Sequence, residues 1–157
     1  HTMRRKDQEI TDPRILTEVL AAGQVCRLAM IAAGEPYLVP LNYGYRDGAL
    51  YFHTAAEGRK IEALRAGGRV CFEVETPCEI IRHAEPCHWG AKVRSVVGYG
   101  RVEFVSALEE KRWAFDVIMA HYGQVGSNVY DSRQLESVAV LRLEIESMTG
   151  KQLGRWD

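Results

Sequence analysis

Arg46-Asp47-Gly48-Ala49-Leu50-Tyr51-Phe52-His53-Thr54 is the stretch that decides the fold. Asp-Gly is the pair favoured in a tight two-residue hairpin, because both central positions of that turn need positive φ. The run Ala49 to His53 that leaves the turn is rich in residues that suit a pleated strand. The run entering it, Tyr37-Leu38-Val39-Pro40-Leu41-Asn42-Tyr43-Gly44-Tyr45, supplies its partner. One step further back, Val25 to Ala32 is apolar with a single charge and is joined through Gly34-Glu35-Pro36, a turn signal. Three consecutive antiparallel strands therefore form a meander.

Downstream, Thr54-Ala55-Ala56-Glu57 has the spacing of a capping box. It predicts a short helix that buries Ile61 and Leu64 and ends at Gly67-Gly68. Arg69 to Glu75 alternates Val70, Phe72 and Val74 with Cys71 and Glu73, the period of a fourth strand. Thr76 to Lys92 holds Pro77 and Pro86 with no clean period and reads as a long loop. Ser95 to Val105 reads as a strand in which Gly98 and Gly100 mark a bulge or a close backbone approach. Ser106-Ala107-Leu108-Glu109 is a second capping box, opening a helix with Leu108, Phe115, Ile118 and Tyr122 on one face and Gly123 at its end. The polar segment from Gly126 to Glu136 reads as a connecting loop, and Val138 to Ile145 as the last strand. Near the start, Asp12 suits an N-cap and Pro13 a first helical position, with Leu16, Val19 and Leu20 at helical spacing and Gly23 closing the element. Six antiparallel strands with helices only at the connections predict a mainly β (β+α) barrel, closed or partly closed to remove sheet edges.

Composition bounds the function. At 157 residues the chain supports one core, and residues 3–157 are expected to form one domain. His1 and Thr2 precede Met3 and read as an expression-tag remnant. Hydrophobic residues at 46% and charged residues at 26% match a soluble globular chain. With 20 basic against 21 acidic residues there is no positive field to gather nucleic acid or anionic lipid. The tyrosines Tyr37, Tyr43, Tyr45 and Tyr51 could stack bases, but no basic stripe accompanies them, so no nucleic-acid partner is expected. No apolar run approaches the roughly 20 residues that span a bilayer, so no membrane partner and a cytoplasmic location are expected. Cys26, Cys71, Cys78 and Cys87 are too widely spaced for a disulfide scaffold and read as reduced thiols.

The chemistry centres on His53-Thr54-Ala55-Ala56-Glu57-Gly58-Arg59-Lys60, where a strand ends, a helix starts and two adjacent cations follow a glycine. Backbone amides there and the two cations could complete a phosphate pocket; a solvated charged face is the plainer alternative. His53 could stack on a cofactor, transfer a proton, ligate a metal, or simply cap a strand. Trp89 could be a core aromatic, a lid or an interface anchor. Cys87 and His88 are adjacent with Cys78 and His83 nearby, but their intervals match no standard zinc pattern, so no metal site is expected.

Several separated motifs in order carry a resemblance. Leu50-Tyr51-Phe52-His53-Thr54 with Gly58-Arg59-Lys60, Val25-Cys26-Arg27-Leu28, Pro40-Leu41-Asn42-Tyr43-Gly44, Cys87-His88-Trp89-Gly90 and Arg94-Ser95-Val96-Val97-Gly98-Tyr99-Gly100 resemble the pyridoxamine 5′-phosphate oxidase-like, FMN-binding split-barrel superfamily. Within it, the chain is most similar to the nitroimidazole-resistance proteins. The resemblance implies a six-stranded antiparallel split β-barrel of Greek-key type with peripheral helices.

It also implies a site. Arg59 and Lys60 would bind the FMN phosphate with help from Thr54, and Val39-Pro40-Leu41-Asn42 would line the isoalloxazine edge. Pro40 has no N–H to donate there. Ser95 aligns with a position that approaches the flavin from the other subunit, and Trp89 tilts toward lid or interface. His53 stands at the end of its strand where the oxidases carry a tyrosine, and is the candidate catalytic residue. The implied partners are a second copy sharing the cofactor site and a small-molecule acceptor. With no Rossmann glycine motif, NAD(P)H would be a transient donor. The expected activity is that of an FMN-dependent oxidoreductase reducing a nitroaromatic or other small organic acceptor. The alternative is a flavin or haem carrier or sensor without turnover, with deazaflavin a further cofactor of such barrels.

Overall fold

The computed structural model describes residues 3–157, so the tag reading of His1 and Thr2 lies outside the described residues. The chain runs β1 (Glu9–Ile10), α1 (Pro13–Ala22), β2 (Cys26–Ala32), β3 (Glu35–Leu41), β4 (Gly44–Arg46), β5 (Ala49–Ala55), α2 (Arg59–Arg65), β6 (Arg69–Glu75), β7 (Glu79–Ile81), β8 (Gly90–Val105), α3 (Leu108–His121), α4 (Ser132–Ser137) and β9 (Val138–Leu153). The strands order as β3-β2-β6-β8-β9-β5-β4, every pairing antiparallel, with β1 added to β9 and β7 to β8. Consecutive strands β5 and β6 are separated by the long β8–β9 ribbon, which gives the Greek-key character. The path has two ends, β3 and β4, so the barrel is split rather than closed.

The expected six strands are all present, and three more accompany them. The single strand expected from Tyr37 to Tyr45 breaks at Asn42-Tyr43 into β3 and β4. Tyr43 turns fully into the core, where its hydroxyl donates to the carbonyls of Leu20 and Gly23. The other two, β1 and β7, are only two and three residues long, too short to show a period. Part of the Thr76–Lys92 loop is thus ordered, with β7 paired to the first residues of β8 and a 3₁₀ turn at Pro86–His88.

The core inside the barrel is built from Leu28, Phe52, Phe72, Val74, Val96, Leu141 and Leu143, closed at one end by Leu16, Val19 and Leu20 of α1. Asp12 caps α1 by accepting from the Arg14 amide, as its sequence predicts. The glycines of β8 are required by contact. A Cβ at Gly98 would overlap the Phe72 ring and one at Gly100 the Glu144 carbonyl, beside the bulge between Tyr99 and Gly100.

Three local expectations are corrected. Thr54 does not open a helix: it lies inside β5, and α2 is preceded by Gly58 at its N-cap, whose φ of 122° lies in the region that favours glycine. Ser106 does not cap α3, whose N-cap position is Ala107, with no side-chain cap. On the buried face of α3 the fully buried residues are Lys111, Ala114, Val117 and Ile118; of the expected set Ile118 is among them, Phe115 is half-buried against the same cluster, and Tyr122 is exposed. A lysine can hold that face because its Nζ donates to the carbonyls of Leu135 and Val138, each at 2.9 Å. Those carbonyls belong to α4 and its end, a helix within the expected Gly126–Glu136 loop that forms because Asp131 accepts from the amides of Arg133 and Gln134. Among the described residues no helix is long and apolar enough to cross a membrane.

Candidate functional site

Strand β5 sorts the candidate residues by parity, because successive side chains of a strand point to opposite faces. Leu50, Phe52 and Thr54 face the barrel interior, and Thr54 is buried at the end of that row. Ala49, Tyr51 and His53 face α3, where Ala114, Val117 and Ile118 pack on the first two. His53 and Thr54 are therefore adjacent in sequence but serve different spaces.

Past β5 the chain turns at Gly58 and delivers Arg59 and Lys60 as the first residues of α2. The Arg59 guanidinium lies over the Tyr37 ring, with Cζ 4.5 Å from the centroid, and pairs with Glu35 at 3.5 Å. Both partners belong to β3, so the cationic turn sits against the start of that strand. Half-buried Lys60 has no ion-pair partner among the described residues.

Strand β3 is an edge, bonded only to β2. Pro36 and Pro40 cannot donate, so their positions, and Leu38 between them, face away from β2, while residues 35, 37, 39 and 41 carry the ladder. The free edge thus offers carbonyls at Pro36, Leu38 and Pro40 and one amide, that of Leu38. Val39 and Leu41 are buried and Pro40 is exposed. Asn42, just past the strand, is tied elsewhere: its Nδ2 donates to the Gln24 carbonyl at 3.4 Å and the Tyr122 hydroxyl at 3.2 Å.

The His53 ring packs 5.1 Å from the Phe115 ring and borders a cavity of about 240 Å³ that Tyr130, Asp131 and Gln134 also line. Partial burial lowers its pKa, so the neutral imidazole is favoured. The loop over this cavity is pinned by Asp116, which accepts from the Tyr130 hydroxyl at 2.7 Å and from the amide and side chain of Asn128. Those hydrogen bonds hold the Asp116 carboxyl below its usual range, against the opposing effect of desolvation.

Ser95 and Trp89 lie elsewhere in the chain. Ser95 pairs with Glu75 and Lys151, whereas Val105, at the far end of β8, pairs with Val140, the neighbour of His53. Ten residues of strand separate the two positions, roughly 30 Å of ribbon at 3.3 Å per residue. Trp89 is further out, half exposed on the arm between β7 and β8, its Nε1 donating to the His83 carbonyl at 2.7 Å. One chain therefore brings Arg59 against the Glu35–Tyr37 start of β3, while Leu41, at the other end of that strand, stands level through Cys26 and Val74 with Val96, next to Ser95.

Sequence reasoning missed Glu35 and Tyr37 as partners of Arg59, and Asp116, Tyr130 and Gln134 beside His53. No local signal marks the second group, since the 116–134 segment meets β5 only through tertiary packing. The Glu35-Pro36-Tyr37 turn could have marked the first.

An antiparallel split barrel whose proline-bearing edge strand meets a Gly-Arg-Lys turn defines a class of small β-barrel proteins. The chain belongs to the pyridoxamine 5′-phosphate oxidase family, whose model matches residues 12–152. Among solved structures it is similar to a candidate 5-nitroimidazole antibiotic resistance protein from Bacteroides thetaiotaomicron. That likeness has 31% identity and a TM-score of 0.82, covering 93% of this chain and 87% of the other. It is also similar to an FAD-binding protein from Mesorhizobium loti, at 30% identity and a TM-score of 0.65, over 92% of this chain and 96% of the other. A FAD and haem binding protein from Mycobacterium smegmatis shares the fold at 18% identity and a TM-score of 0.80, over 95% of this chain and 75% of the other. An uncharacterised protein of Rhizobium meliloti (strain 1021) is 31% identical over 91 residues, which are 58% of this chain and 53% of that protein. The chain thus matches about half the length of this curated relative.

Proposed function

We propose that the chain binds FMN between the Gly58-Arg59-Lys60 turn and the free edge of β3, and works in the cytoplasm as a homodimeric oxidoreductase on a small organic acceptor of the nitroaromatic type. The observation that carries this reading is the placement of Arg59 against Glu35 and Tyr37, which sets a cationic anchor directly beside an unpaired strand edge.

The residues present fit the group. Arg59 and Lys60 match the charge of a phosphate monoester, close to two at neutral pH. Arg59 is half exposed and Glu35, its only ion-pair partner among the described residues, is mostly exposed, so an incoming phosphate can exchange for that carboxylate. The edge of β3 offers carbonyls and the Leu38 amide to a ring with alternating donors and acceptors. The Mesorhizobium relative is described as FAD-binding; both flavins carry a phosphate on the ribityl chain, and the pair of cations here suits a single terminal one. When bound, the flavin supplies the hydride and electron chemistry, so the chain needs no nucleophile. Its own residues hold the phosphate, present the strand edge, and keep His53 neutral beside the α3 cavity, able to accept a proton at its ring nitrogen. A nicotinamide nucleotide would visit as transient donor.

Dimerisation has a surface to support it. Leu38, Ala29, Cys71 and Tyr99 stand in register across β3, β2, β6 and β8. Leu38 and Tyr99 of this row are exposed, as are Ile31 and Val97 beside it. A second copy covering this face would bring its own Trp89 and Ser95 toward the first chain's β3 edge, and two-fold pairing is the commonest way to bury such a face.

The test is the visible spectrum of the purified chain, followed by reoxidation of the reduced protein with and without a nitroimidazole under nitrogen. FMN in the protein and faster reoxidation with the acceptor are expected. FMN bound with no acceptor effect would overturn the enzymatic part, and a Soret band without flavin would overturn the cofactor.

A further inference from the structure

The arm between β7 and β8 gathers three different metal-ligating side chains for which the flavin reading has no use. A carboxylate oxygen of Glu85, Sγ of Cys87 and an imidazole nitrogen of His88 all lie within 4.8 Å of one another, and all three residues are exposed. His88 Nδ1 already meets the Glu85 carboxylate at 2.9 Å.

The backbone beneath them is held in a hydrogen-bonded turn. Pro86 opens the 3₁₀ turn Pro86–His88 with its φ fixed by the ring. The His88 amide donates to the Glu85 carbonyl at 3.0 Å and the Trp89 amide to the Pro86 carbonyl at 3.2 Å. His83 closes the turn from the other side: its Nδ1 accepts from the Glu85 amide at 3.0 Å, its carbonyl from Trp89 Nε1, and its ring meets the His88 ring edge-on at 4.8 Å. A tight turn with three side chains on one side and both flanks bonded is a pre-organised ligand set.

We propose that Glu85, Cys87 and His88 bind a divalent ion of the zinc type in a tetrahedral site, with the fourth position open to water. Thiolate, imidazole and carboxylate together form a borderline-soft donor set that suits zinc, and magnesium or calcium would call for oxygen ligands alone. With metal–ligand lengths of about 2.0 to 2.3 Å, tetrahedral ligand atoms stand about 3.3 to 3.8 Å apart. The observed cluster reaches that spacing by side-chain rotation alone, since no ligand is locked in the core. Binding releases the Cys87 thiol proton and any proton shared between His88 and Glu85 to solvent, with no change of oxidation state. Cys78, which precedes β7 at the base of the arm, takes no part.

The sequence conceals the site because Glu-Pro-Cys-His offers ligands at i, i+2 and i+3, a spacing that works only when the turn folds them to one side. Its three ligands take no part in the proposed flavin site, so it stands or falls by a separate measurement. The reduced, chelator-treated full chain is titrated with Co²⁺ and then with Zn²⁺. One equivalent of Co²⁺ is expected to give thiolate-to-cobalt absorption with tetrahedral visible bands, all displaced by one equivalent of Zn²⁺. Cys87→Ser should abolish the thiolate band, and His88→Ala or Glu85→Gln should weaken binding at least tenfold, in line with losses on perturbing ligand shells. Cys78→Ser should change nothing. Because every altered side chain is exposed, melting temperature serves as the folding control. Absence of saturable binding, binding unchanged in the triple variant E85Q/C87S/H88A, or a signal lost in Cys78→Ser would each overturn the proposal.

Discussion

The Arg59 guanidinium rests on the Tyr37 ring, 4.5 Å from its centroid, and together with its ion pair to Glu35 this contact joins the start of α2 to the edge strand β3. Flavin binding at the anchor is therefore expected to depend on both cations. Changing Arg59 and Lys60 together to Ala should weaken FMN at least a hundredfold, since a hydrogen bond to a charged group is worth about 1.5–3 kcal/mol. Fluorescence titration measures this, and an unchanged Kd would remove the phosphate from this turn.

Glu35 competes with a phosphate for Arg59, and the pair is exposed. Glu35→Gln should tighten FMN modestly, up to about fivefold, the scale of a surface ion pair at up to roughly 1 kcal/mol. Weaker binding in the same titration would mean that Glu35 orients the guanidinium rather than occupying it.

His53 lies on the α3 face of β5, away from Arg59, so His53→Ala should keep FMN bound and alter reduction or reoxidation rates. The same residue has a signature in stability. Its folded pKa is lowered by burial, so the unfolded chain binds the proton more readily. Its contribution to stability is complete above the unfolded value of about 6.5 and is lost as pH falls from there through the folded value. Melting curves of His53→Ala should therefore fall less steeply with acid over that window than those of the parent chain. Parallel curves would contradict the burial of the ring against Phe115.

Lys111 ties α3 to α4 through the carbonyls of Leu135 and Val138. Lys111→Met keeps the length and removes the donors, leaving two carbonyls short of a partner at about 1–3 kcal/mol each. A fall in melting temperature of roughly 4–24 °C is expected for a chain of this size. An unchanged Tm would show that water replaces the ammonium.

The strands were legible wherever period or turn chemistry is local. Asp47-Gly48 fixed the hairpin, the alternation from Arg69 to Glu75 fixed β6, and Gly98-Gly100 marked the bulge. The failures share one cause, which is that long-range contacts outrank local signals. Thr54 has capping-box spacing but is claimed by the β5–β9 ladder, where it pairs with Ala139. Lys111 looks like a surface residue until α4 offers it two carbonyls. In the site, Gly58-Arg59-Lys60 was legible because its chemistry is contiguous. Glu35, Tyr37 and Tyr130 were not, because each reaches the site from another part of the chain. The β8–β9 ribbon is longer than its period suggests at one end only, where β8 begins at Gly90 rather than Ser95 and β9 runs on past Ile145 to Leu153.

The shared site is the central claim of the proposed function, in which a second copy brings its own Ser95 and Trp89 to the first chain's cofactor. Sedimentation of the flavin-loaded protein at micromolar concentration, followed at the flavin absorption band, tests it most directly. The account predicts that flavin travels with a species of about twice the 17.7 kDa chain mass. Flavin travelling with a single 17.7 kDa chain would contradict it.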